Sequence, residues 1–329
     1  MKFKPLLIVL GEPYSIFSEI LFKFYKNESK KIKFPIIVIG SKEILQKQMN
    51  KLKYSLPLNQ IDENNVNLRN LDNNKINIIN VNFKFNKVFD KITSKSSSYI
   101  YKSFEIAINI LKKKRAIGLI NGPISKFHLF KKKFPGVTEY LAKKNNVKNN
   151  VTMLIYNKNF SVSPITTHLP LKNVSKLITK KKIIANVNRI NHFYISKLKK
   201  KPVIAILGLN PHCETTSIYS EEKKIIEPSI KYLKKNKVNI SGPFSADTFF
   251  FRKNIIKFDV VIGMYHDQVL TPIKTLYNFD AINITIGLSY IRISPDHGTN
   301  NKMIGKNKSN ASSLIHSVNF FKKLYENKT

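Results

Sequence analysis

Three of the seven histidines lie in polar strings at or beyond the ends of apolar runs. His168 lies in the string TTHLP, His212 in GLNPH and His266 in GMYHDQ. Ligands bind at the carboxyl ends of strands in α/β sheets. Imidazoles that converge at such an edge can bind a divalent cation and leave one position open for substrate or water. Because the spacing has no helical i, i+4 signature, each histidine fits a metal ligand and a packed or capped residue about equally well.

Acidic residues lie close to these histidines in the sequence. Asp267 follows His266 directly, and Asp247 lies in the string SADTF. Either carboxylate can orient a metal-bound imidazole or act as a general base. For Asp247, helix N-capping is an equally good interpretation. A weaker candidate pair is Asp296 with His297, in a glycine turn where the imidazole contacts substrate or cofactor or simply hydrogen-bonds to the turn.

Three polar residues of the C-terminal third are candidates for holding an anionic substrate. Asn283 lies inside an apolar run and Arg292 lies between two isoleucines, so each needs a partner if buried. That partner is either a ligand or another side chain. Lys274 is one of many lysines and is uninformative by itself.

Short apolar runs alternate with helical patterns, which predicts an α/β architecture with a parallel or mixed sheet. Strands are expected at 5–10, 36–39, 76–79, 116–120, 151–155, 203–207, 260–264 and 282–286. Helices are expected at 96–114, 174–199 in two pieces, 221–235 and 309–325. Residues 59–75, rich in Asn and Asp, are expected to form a surface loop.

Composition restricts the class of protein. The 329 residues, 42% of them hydrophobic, suit two α/β sub-domains rather than one small core. The single cysteine excludes an intrachain disulfide and favours the cytoplasm. The apolar run at 5–10 is too short for a signal peptide or a membrane span. No G-x-G-x-x-G string or P-loop is present, so a classical Rossmann domain is not expected.

The net charge of +37 arises from 57 Lys and Arg against 20 Asp and Glu. Such a field attracts nucleic acid without specificity. However, Lys, Asn and Ile are all unusually abundant, all three have A+T-rich codons, and the lysines are scattered along the chain. Mutational drift is therefore the favoured explanation, and a basic nucleic-acid-binding protein that has lost catalysis is the alternative of another class.

Several short strings occur in a fixed order along nearly the whole chain. They are GEP at 11–13, NGP at 121–123 with Lys126, TE at 138–139, THLP at 167–170, GLNPH at 208–212, GP at 242–243, ADT at 246–248, MYHDQ at 264–268, NITIG at 283–287 and DHGT at 296–299. In this order they resemble the 4-hydroxythreonine-4-phosphate dehydrogenase family. The combination is specific, although no single string is sufficient.

The resemblance implies a two-lobed fold similar to isocitrate and isopropylmalate dehydrogenases, with two interleaved sub-domains spanning 1–329. It implies a homodimer with the site in the cleft between lobes at the subunit boundary. The implied metal ligands are His168, His212 and His266, shared across the dimer, with zinc favoured over magnesium, manganese or cobalt. The implied substrate contacts are Thr138, Lys274, Asn283 and Arg292.

The implied reaction is oxidation of 4-hydroxythreonine 4-phosphate by NAD, or NADP, to a 3-keto acid. This acid decarboxylates to 3-amino-2-oxopropyl phosphate in pyridoxal 5'-phosphate (vitamin B6) biosynthesis. No specific nucleic acid and no membrane are expected as partners.

The chain also departs from the family pattern. Val137 replaces a substrate-contacting histidine, which predicts one hydrogen bond fewer to substrate. The segments 14–18, 213–217 and 300–302 differ as well. These changes predict a weakened or altered enzyme that still binds metal. They also keep open a related dehydrogenase of four-carbon sugar-acid phosphates such as threonate or erythronate 4-phosphate, and a fold preserved without catalysis.

Overall fold

The computed structural model describes residues 4–63, 71–131, 133–147, 150–213, 217–277, 280–295 and 297–326. The chain divides into two compact units. Unit 1 comprises the described residues of 1–149 and 288–326, and unit 2 comprises the described residues of 150–287. Unit 1 is therefore built from two separate stretches of sequence, with unit 2 inserted between them.

Unit 1 contains a sheet in which all strand pairs are parallel, in the order β3-β4-β2-β1-β5-β12. Its strands are β1 (Leu6–Val9), β2 (Ile36–Gly40), β3 (Leu58–Ile61), β4 (Ile76–Asn80), β5 (Gly118–Asn121) and β12 (Ile291–Pro295). Its α-helices are α1 (Phe17–Asn27), α2 (Lys42–Lys51), α3 (Ser97–Lys112), α4 (Lys126–Phe130), α5 (Val137–Lys144) and α12 (Ser312–Glu326).

The core of unit 1 forms because its central strands are apolar on both faces. Leu7 and Ile8 of β1, which lie on opposite faces of the sheet, are both fully buried, as parallel strands covered by helices must be. Helix α3 supplies Phe104, Ile108 and Leu111, which recur at helical spacing and are all buried in the same cluster. The expected first strand at 5–10 and the apolar helical face at 96–114 are confirmed.

Unit 2 contains a mixed sheet in the order β11-β6-β7-β10-β8-β9. The pairs β11–β6 and β6–β7 are antiparallel and the others are parallel. Its strands are β6 (Thr152–Tyr156), β7 (Ser161–Thr166), β8 (Ile204–Leu207), β9 (Ile240–Phe244), β10 (Val260–Tyr265) and β11 (Ile282–Ile286). Its α-helices are α6 (Val174–Leu177), α7 (Lys180–Phe193), α8 (Glu227–Lys235), α9 (Ala246–Phe249), α10 (Arg252–Ile255) and α11 (His266–Tyr277), with π-helical turns at Tyr194–Leu198 and Glu222–Ile226.

The core of unit 2 lies where helix α11 packs against the parallel strands. Val269 and Ile273 of the helix, at i, i+4 spacing, are fully buried with Val162 of β7 and Val261 of β10. This packing fixes the helix that begins at His266. Within the described ranges, no helix combines the length and apolar character that a membrane span requires.

One expectation about the elements is wrong. The loop expected at 59–75 instead begins inside strand β3, which pairs with β4 through contacts such as Leu58 opposite Ile76. The sequence LNQI has low strand propensity, but an edge strand needs only one partner and a half-buried face, and every residue of β3 is at least partly exposed. Residues 64–70 lie outside the described residues.

Candidate active site

The three candidate histidines follow three neighbouring strands of unit 2. Strands β7, β10 and β8 are adjacent and parallel. His266 follows the last residue of β10, His168 follows β7 by two residues, and His212 lies in the loop after β8. The histidines therefore all emerge at the carboxyl edge of this sheet, where ligands bind in α/β folds.

His168 and His266 lie side by side. Their ring centroids are 5.5 Å apart, in keeping with the pairing of Thr166 with Tyr265 at the ends of β7 and β10. The Nδ1 atom of His266 lies 2.6 Å from the Oδ1 atom of Asp267. This carboxylate contact leaves the Nε2 atom of His266 available to a cation, as in carboxylate–histidine–metal arrangements.

His212 has a carboxylate partner of its own. Its Nδ1 atom lies 3.3 Å from Oδ2 of Asp247, and 74% of the His212 side chain is exposed. The Ser245 hydroxyl, which donates a 2.6 Å hydrogen bond, lowers the pKa of Asp247, and the nearby His212 adds to this effect. Ser245 occupies the N-cap position of α9, and Asp247 lies in the first turn. Backbone N–H groups of Asp247 and Thr248 also hydrogen-bond to the Asp247 carboxylate, so this carboxylate contacts both the start of the helix and the imidazole of His212.

The backbone holds two of these histidines in uncommon conformations. His168 has a φ of 23° and His212 a φ of 55°. Non-glycine residues in this region carry strain of about 1–3 kcal/mol and are common at functional sites. Among the described residues, however, no three His, Cys, Asp or Glu side chains are grouped closely enough to hold a metal ion. One chain therefore brings His168 and His266 together and places His212 with Asp247.

Arg292 and Thr138, both in unit 1, are brought together by the fold. The guanidinium of Arg292 donates a 2.6 Å hydrogen bond from Nε to Oδ1 of Asn121 and a 3.4 Å bond from Nη1 to Oγ1 of Thr138. Arg292 is only 3% exposed, and this burial lowers its pKa to about 10. The nearby Tyr290 and Glu139 also favour the charged form. A buried guanidinium in such a setting can in addition bind an anionic ligand.

The other two substrate candidates belong to unit 2. No donor among the described residues reaches the buried Oδ1 atom of Asn283. An unsatisfied buried acceptor costs about 1–3 kcal/mol and needs an explanation, which a bound ligand provides. Lys274 is exposed on α11, about 12 Å along the helix axis from His266.

The weaker candidates have structural roles where they are described. The His297 ring stacks on Phe17 at a centroid distance of 5.8 Å, and its Nδ1 lies 3.2 Å from the carbonyl oxygen of Gly298. Asp296 lies outside the described residues. Val137, the first residue of α5, is 7% exposed and belongs to the core of unit 1. Its side chain therefore packs in the core rather than making a polar contact.

A family model matches residues 32–321 and is described as "Pyridoxal phosphate biosynthetic protein PdxA". The chain belongs to this family. A relative from Sulfurihydrogenibium sp. (strain YO3AOP1) named 4-hydroxythreonine-4-phosphate dehydrogenase is 40% identical over 95% of this chain and 96% of its own length. The resemblance that the ordered strings indicated is thus confirmed.

Comparison with solved structures confirms the fold. A 4-hydroxythreonine-4-phosphate dehydrogenase from Burkholderia phymatum matches with a TM-score of 0.80 and 25% identity, covering 98% of both chains. A β-decarboxylating dehydrogenase from Thermococcus kodakarensis matches with a TM-score of 0.50 and 11% identity over 98% of this chain and 83% of that chain. The second likeness concerns the fold alone, and it agrees with the expected isocitrate dehydrogenase-like architecture.

Three residues that the sequence did not single out support the candidate site. Asn121 ends β5 and accepts the Arg292 hydrogen bond. Glu222 and Gln268 both hold the loop that carries His212, and Gln268 also binds strand β10 just before His266. Asn121 and Gln268 stand within the strings NGP and MYHDQ, but a string does not reveal which of its side chains faces another loop.

Proposed function

We propose that this chain is a metal-dependent dehydrogenase that oxidises 4-hydroxythreonine 4-phosphate with NAD in pyridoxal phosphate biosynthesis. The family membership and the name of the 40% identical relative support the substrate. The observation that carries the chemistry is the histidine arrangement. Two imidazoles are backed by carboxylates, and all three histidines emerge at one edge of the sheet.

The donor set fits a divalent metal. Each carboxylate faces Nδ1 of its histidine, so the Nε2 atoms of His212 and His266 are left for coordination. Imidazole ligands favour zinc, while magnesium, manganese and cobalt are the other candidates. When bound, the metal would lower the pKa of the substrate hydroxyl, whose proton would pass to Asp247, Asp267 or a water that they hold. The nicotinamide of NAD, or of NADP, would accept the hydride.

The chain's own residues then have distinct tasks. Asp267 and Asp247 hold the imidazole rings in orientation through their Nδ1 contacts. Arg292, with Thr138 beside it, binds an anionic group of the substrate, and Lys274 and Asn283 provide further contacts. The oxidised product is a 3-keto acid, which loses carbon dioxide because its ketone accepts the electron pair of the breaking bond.

We also propose that a second copy of the chain completes the site. One chain places His168 beside His266 but pairs His212 with Asp247. A side chain of His212 that is 74% exposed is free to reach a neighbouring subunit. In a homodimer, His212 of one subunit then joins His168 and His266 of the other. The position of the site in a cleft between lobes, and the cytoplasmic location, stay predictions.

The alternatives have less support. The names of the relatives favour the hydroxythreonine phosphate over four-carbon sugar-acid phosphates. A family match over residues 32–321 leaves the +37 charge as the only argument for a nucleic-acid-binding protein.

The test is NADH formation from 4-hydroxythreonine 4-phosphate by purified protein, treated with EDTA and then supplied with zinc. We expect turnover that EDTA abolishes and zinc restores. His266→Ala should lose it, whereas His192→Ala, an exposed histidine on α7, should keep it. Turnover that survives EDTA and the His266→Ala change would rule out the metal-dependent reaction. Faster turnover of erythronate 4-phosphate would reassign the substrate.

A further inference from the structure

Two side chains without an assigned role hold the loop of His212. Glu222 is fully buried at the first position of a π-helical turn. Its Oε1 atom accepts hydrogen bonds from the backbone N–H groups of Leu209 at 2.7 Å and Asn210 at 2.8 Å. Its Oε2 atom accepts a third from Nδ2 of Asn210 at 2.7 Å. One carboxylate thus holds the segment that leads into His212.

These hydrogen bonds keep Glu222 ionised inside the protein. Burial alone raises the pKa of a carboxyl group, but the N–H donors of Asn210 and Leu209 outweigh it and hold the pKa of Glu222 below its usual value. A buried carboxylate with several N–H donors from one loop is a strong local restraint. The loop needs one, because His212 and Cys213 both have a positive φ, of 55° and 53°.

Gln268 connects this loop to the strand before His266. Its Nε2 atom donates a 2.8 Å hydrogen bond to the carbonyl oxygen of Gly208. Its Oε1 atom accepts a 2.7 Å bond from the backbone N–H of Met264. A single amide therefore links the base of the His212 loop to β10, two residues before His266.

Two glycines make room for these side chains. A Cβ atom at Gly208 would lie 3.1 Å from Oε1 of Glu222 and 2.6 Å from Sγ of Cys213. A Cβ atom at Gly263 would lie 2.5 Å from Cγ1 of Val269 and 2.9 Å from Oε1 of Gln268. The backbone at both glycines is therefore closely packed, and a larger residue there would displace neighbouring side chains.

We propose that Glu222 and Gln268 are positioning residues that hold the His212 loop and the His266 segment in the geometry needed for metal binding. Neither is assigned to the metal or the substrate; each acts through the backbone of a ligand-bearing segment. The inference rests on the proposed metal-dependent function. It concerns restraint within one subunit and is therefore independent of which subunit each histidine serves.

The test measures zinc affinity of the metal-free protein by competition with a chromophoric chelator. Residues that support metal ligands typically contribute about 10- to 100-fold in affinity. We expect Glu222→Ala and Gln268→Ala to bind zinc about 10-fold or more weakly. Glu222→Gln should lie between these and the wild type, because its carbonyl oxygen can still accept the Leu209 and Asn210 N–H bonds.

The control is Glu43→Gln, the same change on the surface of unit 1. Glu43 is 68% exposed and pairs with the surface Lys47 at 3.1 Å, so zinc affinity should stay at the wild-type value. Circular dichroism and thermal unfolding show which variants are folded. If Glu222→Ala does not fold, Glu222→Gln and Gln268→Ala carry the test. A positioning role also predicts that kcat at subsaturating zinc recovers as zinc is raised, with KM for the substrate unchanged.

The two proposals fail in different ways. Folded Glu222→Gln and Gln268→Ala variants with wild-type zinc affinity, next to a His212→Ala variant that has lost it, would overturn the positioning role alone. A wild-type protein that binds no zinc, or a His212→Ala variant with unchanged affinity, would overturn the metal site and this inference with it. A lower melting temperature with unchanged zinc affinity would mean a purely structural role.

Discussion

Arg292→Met separates substrate binding from folding, because the two effects on stability nearly cancel. Burial lowers the pKa of Arg292 to about 10, a shift that corresponds to about 3 kcal/mol against the charged form. Methionine removes that cost. It also leaves Oδ1 of Asn121 without its 2.6 Å donor, at a cost of about 1–3 kcal/mol. The net change in the free energy of unfolding should be small.

The effect on activity should be large. A hydrogen bond to a charged group contributes about 1.5–3 kcal/mol, which is about 10- to 140-fold in kcat/KM. The assay is NADH formation at several substrate concentrations, with urea unfolding on the same samples. Arg115→Met is the control, since Arg115 is exposed on the surface of unit 1, and it should retain wild-type kcat/KM.

Two results would refute this reasoning. If Arg292→Met kept kcat/KM at the Arg115→Met level, Arg292 would not bind the substrate. If it unfolded spontaneously under assay conditions, the buried charge would be a structural requirement and the balance of the two stability effects would be wrong.

Two further predictions concern carboxylates. Burial raises the pKa of Glu12 from 4.5 to about 7, so its stability contribution is present below pH 4.5 and is lost as the pH rises through 7. Glu12→Gln should therefore stabilise the protein by up to about 3 kcal/mol at pH 8 and by little at pH 5, and urea unfolding at both pH values that showed no difference would contradict this. Asp267→Asn should weaken zinc binding by about 10-fold or more, because Asp267 contacts His266 Nδ1. The control Asp90→Asn, at an exposed site in unit 1, should leave zinc affinity unchanged. Equal zinc affinities of the two variants would show that Asp267 does not support the metal site.

The buried strands could be predicted from the sequence because apolar runs identify them directly. The expected strands at 36–39, 203–207 and 260–264 match β2, β8 and β10. The helices expected at 96–114 and 309–325 match α3 and α12, whose apolar residues recur at helical spacing. The fold and the family could be predicted because several loop strings occur in a characteristic order, and secondary-structure propensity alone does not account for those strings.

Elements that depend on tertiary partners were missed. Strand β7 has the sequence SVSPIT. Its serines and proline interrupt any apolar run, so the sequence did not predict the strand, although it pairs with neighbours on both sides. Helix α11 contains Pro272, which is unfavourable in a helix interior, and its buried contacts with β7 and β10 override that preference. Strand β9, with the sequence ISGPF, was also missed, because its glycine and proline are unfavourable in strands and only its pairing in the sheet shows it.

The sequence indicates the residue types of the candidate site but not their pairings. Histidines in strand-end strings indicated the candidates, and Asp267 follows His266 directly in the sequence. The contact between Asp247 and His212, and that between Asn121 and Arg292, join residues far apart in the chain. Only the fold brings such residues together.

The most direct test of a site built from two chains is NADH formation by co-expressed His168→Ala and His212→Ala chains. Each variant alone should be inactive. If the two histidines of one site come from different subunits, half of the dimers are mixed and each mixed dimer has one intact site, which predicts about a quarter of wild-type activity. Activity no higher than that of either variant alone, with mixed dimers demonstrated, would contradict the shared metal site.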